Sequence, residues 1–242
     1  MSIAEALRPA SSQPFHTAIW SGIAKEQTGY LKGLNEDATL LHRIGSKLNF
    51  SRGETIFNDG DPAQHTYELA SGVVRLCKHM ADGRRQIAQF MLPGDFFSFM
   101  DTAEHSFTAE AVNDVILFCY PYRQIERLAD ERPSMRKNFT AALTRQVRDI
   151  QNHLVTLGRQ SAEEKLAAFL LLLAGHNGAR THSTLDVPMS RKDISDYLGL
   201  TAETVCRTLS SMKREGLIEI PNLHQIVIRD FECLGALSEG EG

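Results

Sequence analysis

Residues 189–217, MSRKDISDYLGLTAETVCRTLSSMKREGL, constrain this chain more than any other stretch. They read as two short helices joined by a tight turn. Ser190 can cap the first helix, in which Ile194, Tyr197 and Leu198 fall at i, i+3 and i+4 on one face. Gly199 ends it. Thr201 can cap a second helix whose Val205, Leu209 and Met212 repeat at i, i+4 and i+7, leaving Ala202, Glu203, Cys206, Arg207 and Ser210 on the opposite, polar face.

That polar face suits base recognition. An arginine can donate two hydrogen bonds to guanine O6 and N7, and a glutamate can accept one from cytosine N4. Glu203, Arg207, Cys206 and Ala202 are therefore the candidate base-reading residues. Ser190, Lys192, Thr201 and Thr204 lie near the two helix N-termini, where hydroxyls, an ammonium and free N–H groups can hold phosphates. Taken alone, the same residues also fit an ordinary helical hairpin whose Glu203 and Arg207 form a solvated i,i+4 pair.

The run T-A-E-T-V-C-R resembles the recognition-helix signature E-x-x-S-R of the CRP/FNR superfamily of bacterial transcription regulators, with cysteine in place of serine. The resemblance extends through S-A-E-E-K-L-A-A-F at 161–169 and P-M-S-R-K-D-I-S-D-Y-L-G-L at 188–200, and covers the chain after residue 40. Within the superfamily the chain looks most like the FixK branch, FNR relatives without an iron–sulfur cluster; its first cysteine is Cys77.

A length of 242 residues fits two domains. The formal net charge of −4 argues against indiscriminate coating of nucleic acid, so DNA binding must come from locally placed cations and specific contacts. The four cysteines, Cys77, Cys119, Cys206 and Cys233, show no C-x-x-C spacing, so they suggest neither a zinc site nor a disulfide framework. No metal and no cofactor is expected. With no membrane span and no secretory n- and h-regions, a cytoplasmic protein is expected.

The expected fold class is α+β. Residues 1–20 read as a weakly ordered leader. Residues 21–132 hold short β-prone runs at 54–57, 66–69, 73–79, 86–91, 106–111 and 115–120, an antiparallel roll with turns at Gly53, Gly60, Gly72, Gly83 and Gly94. Its motifs resemble the cyclic-nucleotide-binding roll. The family's cyclic-nucleotide pocket needs Gly-Glu and Arg-Ser or Arg-Thr pairs, whereas Ser98-Phe99 and His105-Ser106-Phe107 stand here, so a cyclic phosphate is not expected to bind. A different effector in the roll is the alternative. Cys77 with His79, or His105, could ligate haem as in some superfamily members; Cys77 and Cys119 fit more simply as small core residues.

Residues 133–160 form a long helix on which Phe139, Leu143, Val147, Ile150, Leu154 and Leu157 recur at steps of four and three. Two parallel helices could bury such a seam between them, and so could one helix packed on its own domain. The resemblance implies the two-fold dimer. Residues 161–242 hold a helix capped by Ser161 and Glu164, an exposed loop at 175–183, the helix pair, and a wing of strands at 217–220 and 225–228 separated by Pro221-Asn222. In the family the loop contacts RNA polymerase.

The resemblance implies a homodimeric transcription regulator, an activator more than a repressor, bound to an inverted repeat like TTGAT-N4-ATCAA. No catalytic arrangement is legible, so an enzyme or enzyme-regulatory subunit is not expected. Cys206 lies in the first turns of its helix beside Arg207, a setting that favours thiolate, and oxidation there would set negative charge against DNA. A passive serine replacement is the plainer reading.

Overall fold

A computed structural model of the protein describes residues 37, 40–41, 43–98, 103–159, 161–176 and 184–240. The leader expected at 1–20 and most of the 175–183 loop fall outside them. Eight strands make the roll: β1 (Ser46–Phe50), β2 (Thr55–Phe57), β3 (His65–Ser71), β4 (Val74–His79), β5 (Arg85–Met91), β6 (Phe96–Phe97), β7 (Thr108–Ala111) and β8 (Val115–Pro121). They form two four-stranded antiparallel sheets, ordered β1-β8-β3-β6 and β2-β7-β4-β5. The α+β architecture is as expected.

Alternation along these strands sends one set of side chains between the sheets. Tyr67, Leu69, Val74, Met91, Phe97 and Leu117 are all at most 1% exposed there. The five glycines singled out in the sequence all have positive φ, from 81° to 93°. At Gly72 a second constraint operates, because a Cβ would stand 2.4 Å from the Asp114 carbonyl oxygen. A side chain there would meet both strain and a clash.

Two strands and a helix were not legible. β1 carries Lys47 and Asn49, and forms because its backbone pairs residue by residue with β8. β6 has two residues, held by pairing to Tyr67 and Glu68. Helix α1 (Tyr122–Glu131) follows β8 directly and buries Ile125.

Helix α2 (Pro133–Arg159) runs 27 residues. Helix α3 (Ala162–His176) begins with the expected reciprocal cap: Glu164 N–H donates to Ser161 Oγ, and Ser161 N–H to Glu164 Oε2, both at 3.2 Å. Leu166, Phe169, Leu170 and Leu173 of α3 form the floor on which the helix pair sits. A three-stranded sheet, order β10-β11-β9, is built from β9 (Thr184–Asp186), β10 (Ile218–Asn222) and β11 (Gln225–Ile228). The wing turn differs from expectation: Pro221 and Asn222 belong to β10, which has an irregular register there, and Leu223-His224 form the tip. Asn222 holds that tip by accepting the His224 N–H at 2.9 Å.

Candidate nucleic-acid interface

Two helices frame the site, α4 (Arg191–Leu198) and α5 (Ala202–Arg214). Each starts because a hydroxyl satisfies free N–H groups of its first turn. Ser190 Oγ accepts from Asp193 N–H at 3.0 Å while Asp193 Oδ2 accepts from Ser190 N–H at 3.1 Å, a capping box with aspartate as the reciprocal acid. Thr201 Oγ1 accepts from Thr204 N–H at 3.1 Å. Gly199 ends α4 in the left-handed conformation, φ 64°, and turns the chain into α5.

Burial sorts α5 as the periodicity requires. Val205, Leu209 and Met212 are at most 2% exposed, and Thr208 is buried with them. Glu203, Cys206, Arg207 and Ser210 are exposed, and Ala202 and Thr204 are half-buried. No ion pair joins Glu203 to Arg207 among the described residues, so the hairpin's i,i+4 pair is not what occupies this face. Acidic Glu203 in the first turn and Lys213 and Arg214 in the last also suit the helix dipole.

The residues near the helix starts are less uniform. Ser190 is engaged in its capping box, its hydroxyl donating to Asp193 Oδ2 at 2.7 Å. Lys192 Nζ pairs with Asp196 at 2.5 Å, though its side chain is 70% exposed. Arg191 is half-buried, and its Nη1 finds no hydrogen-bond partner among the described residues. Burial pushes its guanidinium pKa down, and Cys206 is the neighbour that opposes this.

What sequence reasoning missed is how α4 is held. Asp193 and Asp196 do not face solvent beside the basic residues of the stretch; they are buried against β4 and β5 of the roll. Arg85 Nη2 reaches Asp193 Oδ1 at 2.5 Å and Asp196 Oδ2 at 2.9 Å. Arg75 bridges Glu110 Oε2 at 2.8 Å and Asp193 Oδ1 at 3.0 Å. Burial works against the Asp193 carboxylate, yet the Ser190 hydroxyl and the two arginines hold its pKa below the ordinary value. Nearby, His153 of α2 stacks on Tyr197 at 3.9 Å.

The seam residues of α2 are divided. Leu143, Val147, Ile150 and Leu154 are 41–62% exposed. Phe139 packs edge-on against Phe96 at 5.7 Å, and Leu157 is half-buried. In the roll, Cys77 and Cys119 are buried, their thiols pushed up to about 12 by burial. His105 is 8% exposed, stacked on Phe57 at 3.7 Å with Nδ1 3.2 Å from Ser98 Oγ.

The chain matches the family model for the Crp-like helix-turn-helix domain over residues 164–237, and that for the cyclic nucleotide-binding domain over 47–132. It is 41% identical over 184 residues to the nitrogen fixation regulation protein FixK of Bradyrhizobium diazoefficiens, spanning 74% of this chain and 77% of that one. The chain belongs to the CRP/FNR family. A second FixK, from Azorhizobium caulinodans, is 35% identical over 94% of this chain and 92% of its own. The structure of FixK2 from Bradyrhizobium japonicum superimposes with a TM-score of 0.75 at 34% identity, covering 80% of this chain and 97% of that one. The protein is thus a DNA-binding transcription regulator of CRP/FNR type, as the sequence resemblance implied, and not an enzyme. No helix among the described residues is long and apolar enough to cross a membrane.

Proposed function

We propose that this regulator acts as a homodimer that reads an inverted repeat like TTGAT-N4-ATCAA, one α5 helix per half-site. The observation that carries the reading is the split surface of α5: a capped helix with one face sealed and Glu203, Cys206 and Arg207 exposed on the other. Glu203 and Arg207 read the G·C step, Ala202 and Cys206 touch neighbouring bases, and Ser190, Lys192, Thr201 and Thr204 hold phosphate. The exposed Leu143, Val147, Ile150 and Leu154 support dimerisation through α2, since four large apolar side chains on one helix favour a partner over water. A two-fold pair then sets the two α5 helices about 34 Å apart, in successive major grooves.

The division into leader, roll, dimer helix and winged helix-turn-helix domain belongs to this reading. So do activation through RNA polymerase, a cytoplasmic setting and loss of DNA binding on oxidation of Cys206. That thiol is exposed beside Arg207, so an oxidant and DNA phosphate can both reach it. Cys206→Ser should then keep its DNA affinity in peroxide where the parent loses it; equal sensitivity would remove the redox role.

The alternative, an effector-gated regulator, has one observation in its favour. A cleft of about 820 Å³ opens between the roll, α2 and α3, with Asp95, Arg148, Asp149, His153 and His176 on its walls. Fluorescence anisotropy separates the two readings. Reduced, effector-free protein should bind the TTGAT-N4-ATCAA duplex about a thousandfold more tightly than one with its G·C steps exchanged. Equal weak binding to both would refute ligand-free recognition and turn attention to the cleft.

A further inference from the structure

β4 alternates so that Arg75, Cys77 and His79 stand on one face, away from the roll core and toward α4. Glu110 of the neighbouring β7 pairs in register with Arg75 and projects into the same row. Cys77 Sγ lies 3.6 Å from His79 Nε2 and 3.8 Å from Glu110 Oε2, and His79 Nε2 lies 3.7 Å from Glu110 Oε1. A thiol, an imidazole and a carboxylate thus converge from two adjacent strands.

Those separations are close to what a tetrahedral ion demands. Bonds of about 2.3 Å to sulfur and about 2.0–2.2 Å to nitrogen and oxygen place ligand atoms about 3.3–3.6 Å apart at tetrahedral angles. The two carboxylate distances run to different oxygens; with one ligand atom per residue the three lie within 4.8 Å of one another, and a turn of the exposed His79 ring and of the Glu110 carboxylate would complete the triangle. Access is one-sided: Cys77 is fully buried and the Glu110 side chain 15% exposed, whereas that of His79 is 55% exposed.

We propose that Cys77, His79 and Glu110 bind one divalent transition-metal ion of the zinc class, with water in the fourth position on the side of His79. Sulfur and imidazole select such an ion over calcium or magnesium. Cys77 transfers its proton to solvent as the ion binds, so thiolate and carboxylate together balance the dication. Ion binding with loss of the thiol proton therefore raises the charge of the site by one, from that of the Glu110 carboxylate to neutral, beside Arg75 and Arg85. The spacing of cysteines alone could not reveal it, because Glu110 lies 33 residues from Cys77.

The site also has an outer shell that leads to the helix pair. Arg75 donates to Glu110 Oε2 and, through Nη1, to Asp193 of α4. A metal ligand oriented by an arginine that also holds α4 couples ion binding to the position of that helix. This second half rests on the DNA-reading role proposed for α5, and the first half does not.

Cobalt(II) titration of the reduced full-length protein tests the site independently of DNA. One Co²⁺ per chain should bind, with a thiolate charge-transfer band in the near ultraviolet and the visible bands of four-coordinate cobalt, both bleached by Zn²⁺. His79→Ala, at an exposed position that the fold tolerates, should lose the visible bands and weaken binding by at least about a hundredfold. Arg75→Met, which leaves all three ligands in place and removes their outer partner together with its bond to Asp193, should weaken it about tenfold to a hundredfold. A Cys206→Ser, Cys233→Ser protein should keep the full spectrum. No band in the parent, an unchanged spectrum in His79→Ala, or a band lost with the two exposed thiols would each overturn the site. Zn²⁺ should also shift the operator affinity of the parent and not of His79→Ala; equal responses would overturn the coupling to α4 and leave the cobalt result standing.

Discussion

α4 and α5 are neighbours in sequence, each opened by a hydroxyl cap, yet they face opposite fates. α4 is buried along almost its whole length, Asp193 through Leu198, and two arginines of the roll grip its acidic side. α5 buries one stripe and leaves the rest open. The first helix is anchored, and the second keeps the open face that the proposed reading assigns to DNA. The acidic residues of α4 are therefore met mainly from the roll: Asp193 and Asp196 pair with arginines 108 to 118 residues away, Asp196 with Lys192 as well, and α5 keeps Arg207, Lys213 and Arg214 against Glu203.

The sharpest break of that contrast is Arg85→Met. Removing a cation shared by two carboxylates only 5–6% exposed should cost about 2–3 kcal/mol of stability, below the usual loss for a broken buried pair because Arg75 and Lys192 still serve the carboxylates. Denaturant midpoints measure it. If α4 is the anchor, Arg207→Met should behave in the opposite way, with an unchanged midpoint and a loss of about 1–3 kcal/mol in operator affinity. A stability loss at Arg207 with intact affinity would reverse the two roles.

How far the sequence carried this division is instructive. α5 was legible because everything that defines it lies within 14 residues: a cap at Thr201, an apolar stripe at steps of four and three, and a polar remainder. The roll was legible in its longer strands, where glycine turns punctuate alternating runs. β1 and β6 were not, because pairing to β8 and β3 makes them, and their own residues carry little strand signal. The grip on α4 was invisible for the same reason. Arg75 and Arg85 lie on two strands, and Asp193 and Asp196 on a helix, and no spacing in the sequence pairs them before the fold brings them together.

The caps offer a smaller test of the same contrast. Thr201→Ala removes one hydrogen bond at an exposed helix start, about 1 kcal/mol, and should lower operator affinity by misaligning the open face. Ser190→Ala removes a comparable bond, but it also strips a partner from the buried Asp193 carboxylate. Its stability loss should be the larger of the two. Equal losses would mean that α4 is held by packing and that the ionic grip adds little.

The smallest effect expected is one of pH. His153 stacks on Tyr197 of the anchored helix, and its pKa is lowered to about 4 by burial and then by Lys165. A histidine neutral when folded and near 6.5 when unfolded stabilises the fold fully above pH 6.5 and loses that contribution as pH falls toward 4. Because the ring is partly open to solvent, screening reduces the effect to about 1 kcal/mol or less. His153→Phe keeps a ring against Tyr197 and removes the proton site. Its unfolding midpoint should change less between pH 7 and pH 5 than that of the parent. If both fall in parallel, the acid sensitivity belongs to other groups, and the stacked pair is packing alone.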